Sequence, residues 1–540
     1  MPTVIVNDIE VELQEGERLN GIQVAKRAGV EIPHYCWHPG LSVVASCRMC
    51  LVETGRRDPE TGKVSMMGKL VPACQTPATE HTVFVTNSEM VQKARAMVEE
   101  DLLIRHPVDC PICDKAGECH LQDYHFEYGQ PERRADIQPF HSRRRSLGDT
   151  VTLFVDRCVM CSRCVRFTRE ISGTSELMVI NRGSHEEIDV FPGYPLDNKL
   201  SGNVVDLCPV GALGDKDFLY AQRVWFMKKH AHVCGNCSTG CSIWVDENQD
   251  QIYRLKPREN PHVNKWWMCD EGRYGFKHTH SNERLRGPEK LTEEGYQIAD
   301  WKGITAELDQ RLRGSSRIAM VLSPWLTVEE AYLLGKYAKQ VSDQATLVVG
   351  AIPSEGEDEV FQNGFVIRAE KCPNRRGVET IVGRLGETLV LWHEFLERLR
   401  GGETFDAIWV IGGYPVNWID SETAELFDGT ATLIVQDLFA SPLSERAHYR
   451  LPSAASYERA GSFVNANDRL QSFDWAVRPP LGVVTEGQLA WRLLGRERLY
   501  DARQTLEDVA REIAYFAAAI GGVPDVGVDL RSNLLVESGT

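Results

Sequence analysis

The run Cys158-Val159-Met160-Cys161-Ser162-Arg163-Cys164, followed downstream by Cys208-Pro209, sets three thiols at two-residue intervals and a fourth far along the chain. Three sulfurs so spaced wrap one corner of an iron-sulfur cubane, and a remote Cys-Pro closes it. Zinc sites favour isolated C-x2-C pairs over a triplet. In two-cluster ferredoxins the Cys-Pro residue serves the other cluster, but no second triplet precedes Cys208, so Cys158, Cys161, Cys164 and Cys208 are read as one tetranuclear site.

Working outward, three more sets appear. Cys36, Cys47, Cys50 and the more distant Cys74 offer four thiols for a binuclear cluster. Their first gap is ten residues, where the plant-type loop has four, so a zinc knuckle on the same thiols stays open. His106, Cys110, Cys113 and Cys119 supply only three thiols, and the imidazole four residues before Cys110 is the natural fourth donor of a cubane. Neutral imidazole in place of thiolate makes a cluster less negative and should raise its potential. His34, His38 and His120, also beside cysteines, are read as structural. Cys234, Cys237, Cys241 and, after a gap, Cys269 suit a third tetranuclear cluster, with zinc again a competitor. Fifteen cysteines and His106 thus divide evenly among one 2Fe-2S and three 4Fe-4S sites. Cys372 is left over and reads as a buried, inert thiol.

Composition supports reduced, metal-bound thiols. Sixteen cysteines in 540 residues are too sparse for a disulfide scaffold, and eleven of them crowd between Cys36 and Cys208. No secretory signal is read at the N-terminus, and no apolar run is long enough to span a bilayer, so membrane contact should come only through partners. A net charge of -17 excludes a nucleic-acid surface. The Arg143-Arg144-Arg145 run reads as a solvated turn or partner-facing patch. The chain has no G-x-G, hence no dinucleotide fingerprint.

Periodicity sketches the elements. Val4 to Val6 and the period-two run Ile9, Val11, Leu13 flank an Asn7-Asp8 turn, which predicts a hairpin. A short helix is expected over Ile22 to Ala28, and another after the N-cap Ser88, delivering the chain to His106. Strands are expected at Val151 to Val155 and Leu177 to Ile180. Beyond about 285, apolar runs at Ile318 to Leu322, Thr346 to Val349, Ala407 to Ile411 and Thr432 to Val435 alternate with helices such as Val328 to Ala338, the pattern of a largely parallel sheet. The tail reads as helices Gln488 to Leu499 and Leu506 to Ala518, then a polar, frayed end.

The four sets in this order, with one histidine donor, resemble the large iron-sulfur subunit family of bacterial respiratory NADH:quinone oxidoreductase (complex I). The match covers residues 1 to about 280. From about 230 the chain is similar to molybdopterin oxidoreductases, and Leu451-Pro452-x5-Glu458-x2-Gly461-Ser462-x2-Asn465-x3-Arg469-x-Gln471 resembles a motif of that superfamily. The implied fold is multidomain, α+β and α/β, in five segments. These are a β-grasp 2Fe-2S ferredoxin-like domain (1–87), a His/Cys-ligated 4Fe-4S domain (88–145), a 4Fe-4S ferredoxin-like domain (146–228), a molybdopterin-oxidoreductase-type 4Fe-4S domain (229–285) and a shortened α/β domain (286–540).

The implied role is an electron carrier within a translocating oxidoreductase. NADH and FMN would sit on a flavoprotein partner, and electrons would pass through the Cys36, Cys158 and His106 sets toward quinone-side iron-sulfur subunits. Other peripheral-arm subunits would flank it on the cytoplasmic side of the inner (plasma) membrane, with the Cys234 set off that line. In formate dehydrogenases of the superfamily a Cys or selenocysteine follows the last cluster cysteine by some tens of residues, but none lies between Cys269 and Cys372. Asp270 and Glu271 replace the family's lysine after Cys269, and only about 70 residues follow Gln471. No molybdenum is expected. The rivals are an iron-sulfur subunit of an NAD-linked formate dehydrogenase or hydrogenase, and a zinc-stabilised assembly protein without redox activity.

Overall fold

The computed structural model describes residues 2–531 apart from 133, 140, 142 and 184, so the end of the tail lies outside the described residues. The chain divides into two compact units, with the boundary between Met227 and Lys228.

The first unit opens on the expected hairpin, Thr3–Val6 against Ile9–Glu12, with Asn7 at φ 55° making the turn. Thr3–Val6 also pairs in parallel with Thr82–Val85, which leads through Leu51–Arg57 to Val64–Pro72 in a five-stranded mixed sheet. Helix Gly21–Arg27, capped by Asn20 and Gln23 in a reciprocal box, buries Ile22, Val24 and Ala25 against Val4, Val6, Val52 and Phe84. Cys50 and Cys74 belong to that same core, which places two thiols at the β-grasp's inner edge. Ser88 caps helix Glu89–Arg105 by accepting from Val91 N–H, and His106 terminates it in extended conformation. A three-stranded sheet then orders Leu213–Asp215, Val151–Phe154 and Arg144–Ser146, with helices Arg163–Glu170 and Asn203–Leu207 beside it. The arginine run forms the edge of this sheet. Arg143 is paired with Asp156 and Glu187, and Arg145 with Asp189, so two of its three charges are internally matched.

The second unit begins with an antiparallel meander, Lys228–Val233, Ser242–Asn248 and Gln251–Pro257. The apolar runs read in the sequence become adjacent strands of a seven-stranded sheet, whose central order is Tyr449–Pro452, Thr432–Asp437, Ala407–Ile411, Ile318–Leu322, Thr346–Val349, all parallel. Each strand is apolar on both faces because helices cover both: Ile318, Met320 and Leu322 enter one core, Ala319 and Val321 the other. Helix Val328–Val341 starts at a Thr327–Glu330 capping box and runs three residues past its expected end. The tail differs more. The first helix is Glu486–Leu493, cut short where Gly495 takes φ 71°, and the second is Ala502–Glu512 followed by a separate 3-10 turn Ala514–Ala519.

Candidate iron-sulfur sites

All sixteen cysteines carry free thiols, and within each set neighbouring cysteines lie in electrostatic reach of one another, although among the described residues no group of three or more His, Cys, Asp or Glu side chains is placed to hold a single metal ion. In the first, the sulfurs of Cys36 and Cys47 face each other, those of Cys50 and Cys74 likewise, and each pair lies within the other's electrostatic reach. The Cys47 thiol, together with the Cys47 and Ser46 N–H groups, holds Cys36 down at about 5 against the push of burial. Cys74 lowers Cys50 in the same way, while Cys47 and Cys74 are driven up by the partner sulfurs and then by burial. The loop carrying them turns through left-handed residues Ala45 and Arg48.

The second group follows helix Glu89–Arg105. Burial, then the Arg157 guanidinium, holds His106 at about 4, a neutral imidazole able to donate a lone pair. The same Arg157 lies beside Cys113, whose thiol burial pushes up. Burial raises Cys119 to about 11, with Cys113 adding to it, while Cys110 is exposed. Arg157 is 3% exposed, donates to Asp109 at 2.9 and 3.0 Å and stacks on Phe154 at 4.1 Å. Arg223 fastens the loop by donating to the carbonyls of Cys113 (2.8 Å), Cys110 and Pro111.

The third group lines one small apolar cavity of about 20 Å³, where Cys158, Cys161, Cys164 and Cys208 meet Leu153, Ile188 and Val210. Met160 and Ser162 are both left-handed (φ 49° and 56°), which coils the loop so that Met160 N–H points at Cys158 Sγ at 3.4 Å. Burial drives up Cys158, Cys164 and Cys161, the last to about 11, and neighbouring sulfurs add to each.

The fourth group lies in the second unit. Cys234, Cys237, Cys241 and Cys269 are all buried; burial first and neighbouring sulfurs second raise the thiols of Cys234, Cys241 and Cys269, that of Cys234 to about 12. Gly272 N–H points at Cys269 Sγ (3.3 Å), and a β-carbon on Gly272 would press on Cys234 Sγ at 3.1 Å. The molybdopterin-type motif holds this loop. Asn465 donates to Thr239 O at 3.0 Å, and Gln471 donates to Gly240 O at 2.7 Å while accepting from Ser242 Oγ at 2.6 Å. Two more motif residues serve the framework: Glu458 accepts two bonds from Arg284, and Ser462 donates to buried Glu329.

This donor chemistry fits iron-sulfur clusters. Thiolates crowded into water-poor pockets repel one another unless a cation neutralises them, and metal coordination keeps such sulfurs deprotonated. Backbone N–H groups aimed at sulfur and glycines that leave no room for a β-carbon are the surroundings a bulky anionic cage requires.

Several contributors were not singled out from the sequence. Arg157, Arg163, Arg166 and Gly211 surround the first three groups, and the only signal was their position within or just beside the cysteine runs. Lys371 is another. Its Nζ sits 2.6 Å from Glu271, within electrostatic reach of Cys237 and Cys269, so a lysine from a distant loop stands by the cysteine that Asp270 and Glu271 follow. Cys372 is fully buried with Trp325 and Tyr414, and burial raises its thiol well above the ordinary range.

Comparison with known proteins follows the same order along the chain. Residues 2–89 match a 2Fe-2S iron-sulfur cluster binding domain. Residues 95–134 match the NADH-ubiquinone oxidoreductase-G iron-sulfur binding region, and 148–214 the ferredoxin-like domain of NADH-quinone oxidoreductase subunit 3. Residues 227–281 match the molybdopterin oxidoreductase Fe4S4 domain, and 382–483 molybdopterin oxidoreductase. The G subunit of NADH-quinone oxidoreductase from Rickettsia prowazekii (strain Madrid E) is 34% identical over 345 residues, 62% of this chain and 48% of that protein. The NADH-ubiquinone oxidoreductase 75 kDa subunit of Reclinomonas americana is 32% identical over 377 residues, 67% of this chain and 52% of that protein. The chain therefore spans about half the length of the curated relatives it matches. A solved NAD+-reducing [NiFe]-hydrogenase in the H2-reduced state aligns at 26% identity over 41% of this chain and 91% of its own, with a TM-score of 0.36. Among the described residues no helix is long and apolar enough to cross a membrane. With matches to 2Fe-2S, 4Fe-4S and molybdopterin-oxidoreductase domains in succession, the chain is similar to the G and 75 kDa subunits of NADH-quinone oxidoreductase.

Proposed function

We propose that this chain is the electron-relay subunit of an NADH:quinone oxidoreductase, holding one binuclear cluster on Cys36, Cys47, Cys50 and Cys74. Three tetranuclear clusters would be held on His106, Cys110, Cys113 and Cys119; on Cys158, Cys161, Cys164 and Cys208; and on Cys234, Cys237, Cys241 and Cys269. Clusters bound there supply one-electron exchange. The chain's own residues ligate, fix spacing and set the local charge.

The observation that carries the reading is the interlock of the first three sets. Arg166 bonds the carbonyls of Cys36 and Cys161, and Gly211 and Arg157 join the Cys158 group to Cys113. Such contiguity is what stepwise transfer between neighbouring sites requires. It supports the order Cys36 set, Cys158 set, His106 set, with a flavin-bearing subunit that oxidises NADH as donor and quinone-side iron-sulfur subunits as acceptors. Peripheral attachment on the cytoplasmic side of the plasma membrane, through those partners, completes the proposal. The five segments bounded near 87, 145, 228 and 285 are its domains, and the last is a molybdopterin-oxidoreductase-like relic that binds no molybdenum.

Anaerobic purification with metal and acid-labile sulfide analysis and low-temperature EPR tests this. One binuclear and three tetranuclear signals are expected. Colourless, zinc-loaded protein would overturn the redox role, and stoichiometric molybdenum with formate oxidation would favour the dehydrogenase instead.

A further inference from the structure

Helix Arg163–Glu170 starts inside the Cys158 loop, and its residues 163 and 166, three apart, share one face. Arg163 donates to Trp37 O at 2.6 Å with one arm and to Leu207 O at 3.2 Å with the other. Arg166 donates to Ser42 O and Cys36 O, and reaches Cys161 O at 3.2 Å. Arg163 thus has one arm on the Cys36 loop and one on the loop that carries Cys208, while Arg166 puts both arms on the Cys36 loop and shares one of them with Cys161 O. Both side chains are 5% exposed.

Their charges are unusual for their burial. Elsewhere in the chain, buried Arg284 pairs with Glu458 and buried Arg459 with Glu330. Among the described residues neither Arg163 nor Arg166 has a carboxylate partner, and the Nε atom of each is buried without a hydrogen bond. Glu170, one turn beyond Arg166, is engaged by Ser42 N–H and Oγ. The nearby imidazoles His34 and His38 are kept neutral, by burial first and with Arg163 contributing, at about 4 and about 3. Two buried cations without counter-ions are strongly unfavourable unless negative charge lies close by. Within electrostatic reach of Arg163 lie the Cys161 and Cys208 sulfurs and the Tyr124 phenol, and Cys161 lies within reach of Arg166 too.

We propose that Arg163 and Arg166 form a cationic wedge between the Cys36 and Cys158 sets, which fixes the spacing of the two ligand loops and raises the potentials of the clusters they hold. The proposal rests on the iron-sulfur reading above. A buried positive charge favours the more negative, reduced form of a neighbouring cluster and so makes it easier to reduce. Arginine suits the task because its planar fork donates to two loops at once and never deprotonates. Both are positioning residues, acting through the ligand loops and not as ligands.

The test is Arg166→Gln in the full chain, purified anaerobically and titrated potentiometrically by low-temperature EPR. At unchanged iron and sulfide content, the reduction equilibria of the Cys36-set and Cys158-set clusters should each move about tenfold toward the oxidised form. For a one-electron couple that is a midpoint about 59 mV lower. The Cys234-set cluster should not move. Unmoved potentials at full cluster content overturn the wedge, and so does an equal shift at every cluster. If glutamine costs the two clusters, Arg166→Lys decides. Retention of both near their native potentials supports a charge role, and their loss there too overturns it. Absence of all signals in the unmodified protein overturns the parent reading, whereas normal signals that ignore both substitutions overturn the wedge alone.

Discussion

A β-carbon built on Gly211 would lie 2.1 Å from Sγ of Cys113, so the backbone three residues beyond Cys208 runs directly against a thiol of the neighbouring set. Its Cβ position is also 3.8 Å from Arg157 Cδ. Only glycine leaves that approach open. Gly211→Ala should therefore displace Cys113 and cost the His106-set cluster while sparing the binuclear one. Iron content and EPR of the anaerobic variant read this directly, and an unaltered set of tetranuclear signals would show that the contact is dispensable.

His106 ends its helix with an imidazole kept neutral by burial and by Arg157, and in the sequence it precedes three cysteines that are one donor short of a cubane. His106→Ala should remove one fast-relaxing tetranuclear signal and leave the other clusters intact. Unchanged iron and spectra in that variant would overturn the assignment of His106 as a ligand.

Arg284 and Glu458 form a bidentate pair at 2.6 and 2.7 Å, exposed by 1% and 2%. Removing one partner of such a pair costs about 3–5 kcal/mol, because the other charge is left buried alone. Arg284→Met should lower the stability read from the second unit's urea transition by that amount. Arg284→Met with Glu458→Gln should recover a substantial part, and a double variant no better than the single one would refute the uncompensated-charge explanation.

His278 donates from Nδ1 to Gly275 O at 2.7 Å, and burial, aided by Arg284, holds its folded-state pKa at about 4. Unfolded histidine titrates near about 6.5. Between those values the unfolded chain takes up a proton that the folded chain refuses, so stability is complete above the upper value and falls as pH drops through the window. Denaturant midpoints measured at about pH 7.5 and about pH 5 should converge in His278→Gln relative to the unmodified protein. An identical acid-side loss in both would assign it to other groups.

The cysteine sets, the hairpin and the central parallel strands were legible because each rests on local spacing: two-residue thiol intervals, an Asn-Asp turn, apolar runs buried on both faces. What the sequence did not reveal depends on residues far apart in the chain. Arg163 and Arg166 look like ordinary helix surface until Cys36 and Trp37 fold onto them. Lys371 shows no link to Cys269 until its loop returns. The tail helix stops at Leu493, short of the expected Leu499, because Gly495 takes a left-handed backbone that halts it. The Leu451 to Gln471 motif was recognised by resemblance, but that Asn465 and Gln471 grip the Cys241 loop follows only from tertiary contact.

The packing of Gly211 and Arg157 against Cys113 bears on biogenesis. Residues 106–119 hold the four proposed donors of one set, yet the wall behind Cys113 is laid down only when residue 211 has been synthesised. Cys208 appears just before it. On the proposed ligand assignment, the surroundings of the His106 and Cys158 sets are therefore both finished only when this one short stretch of chain has been made.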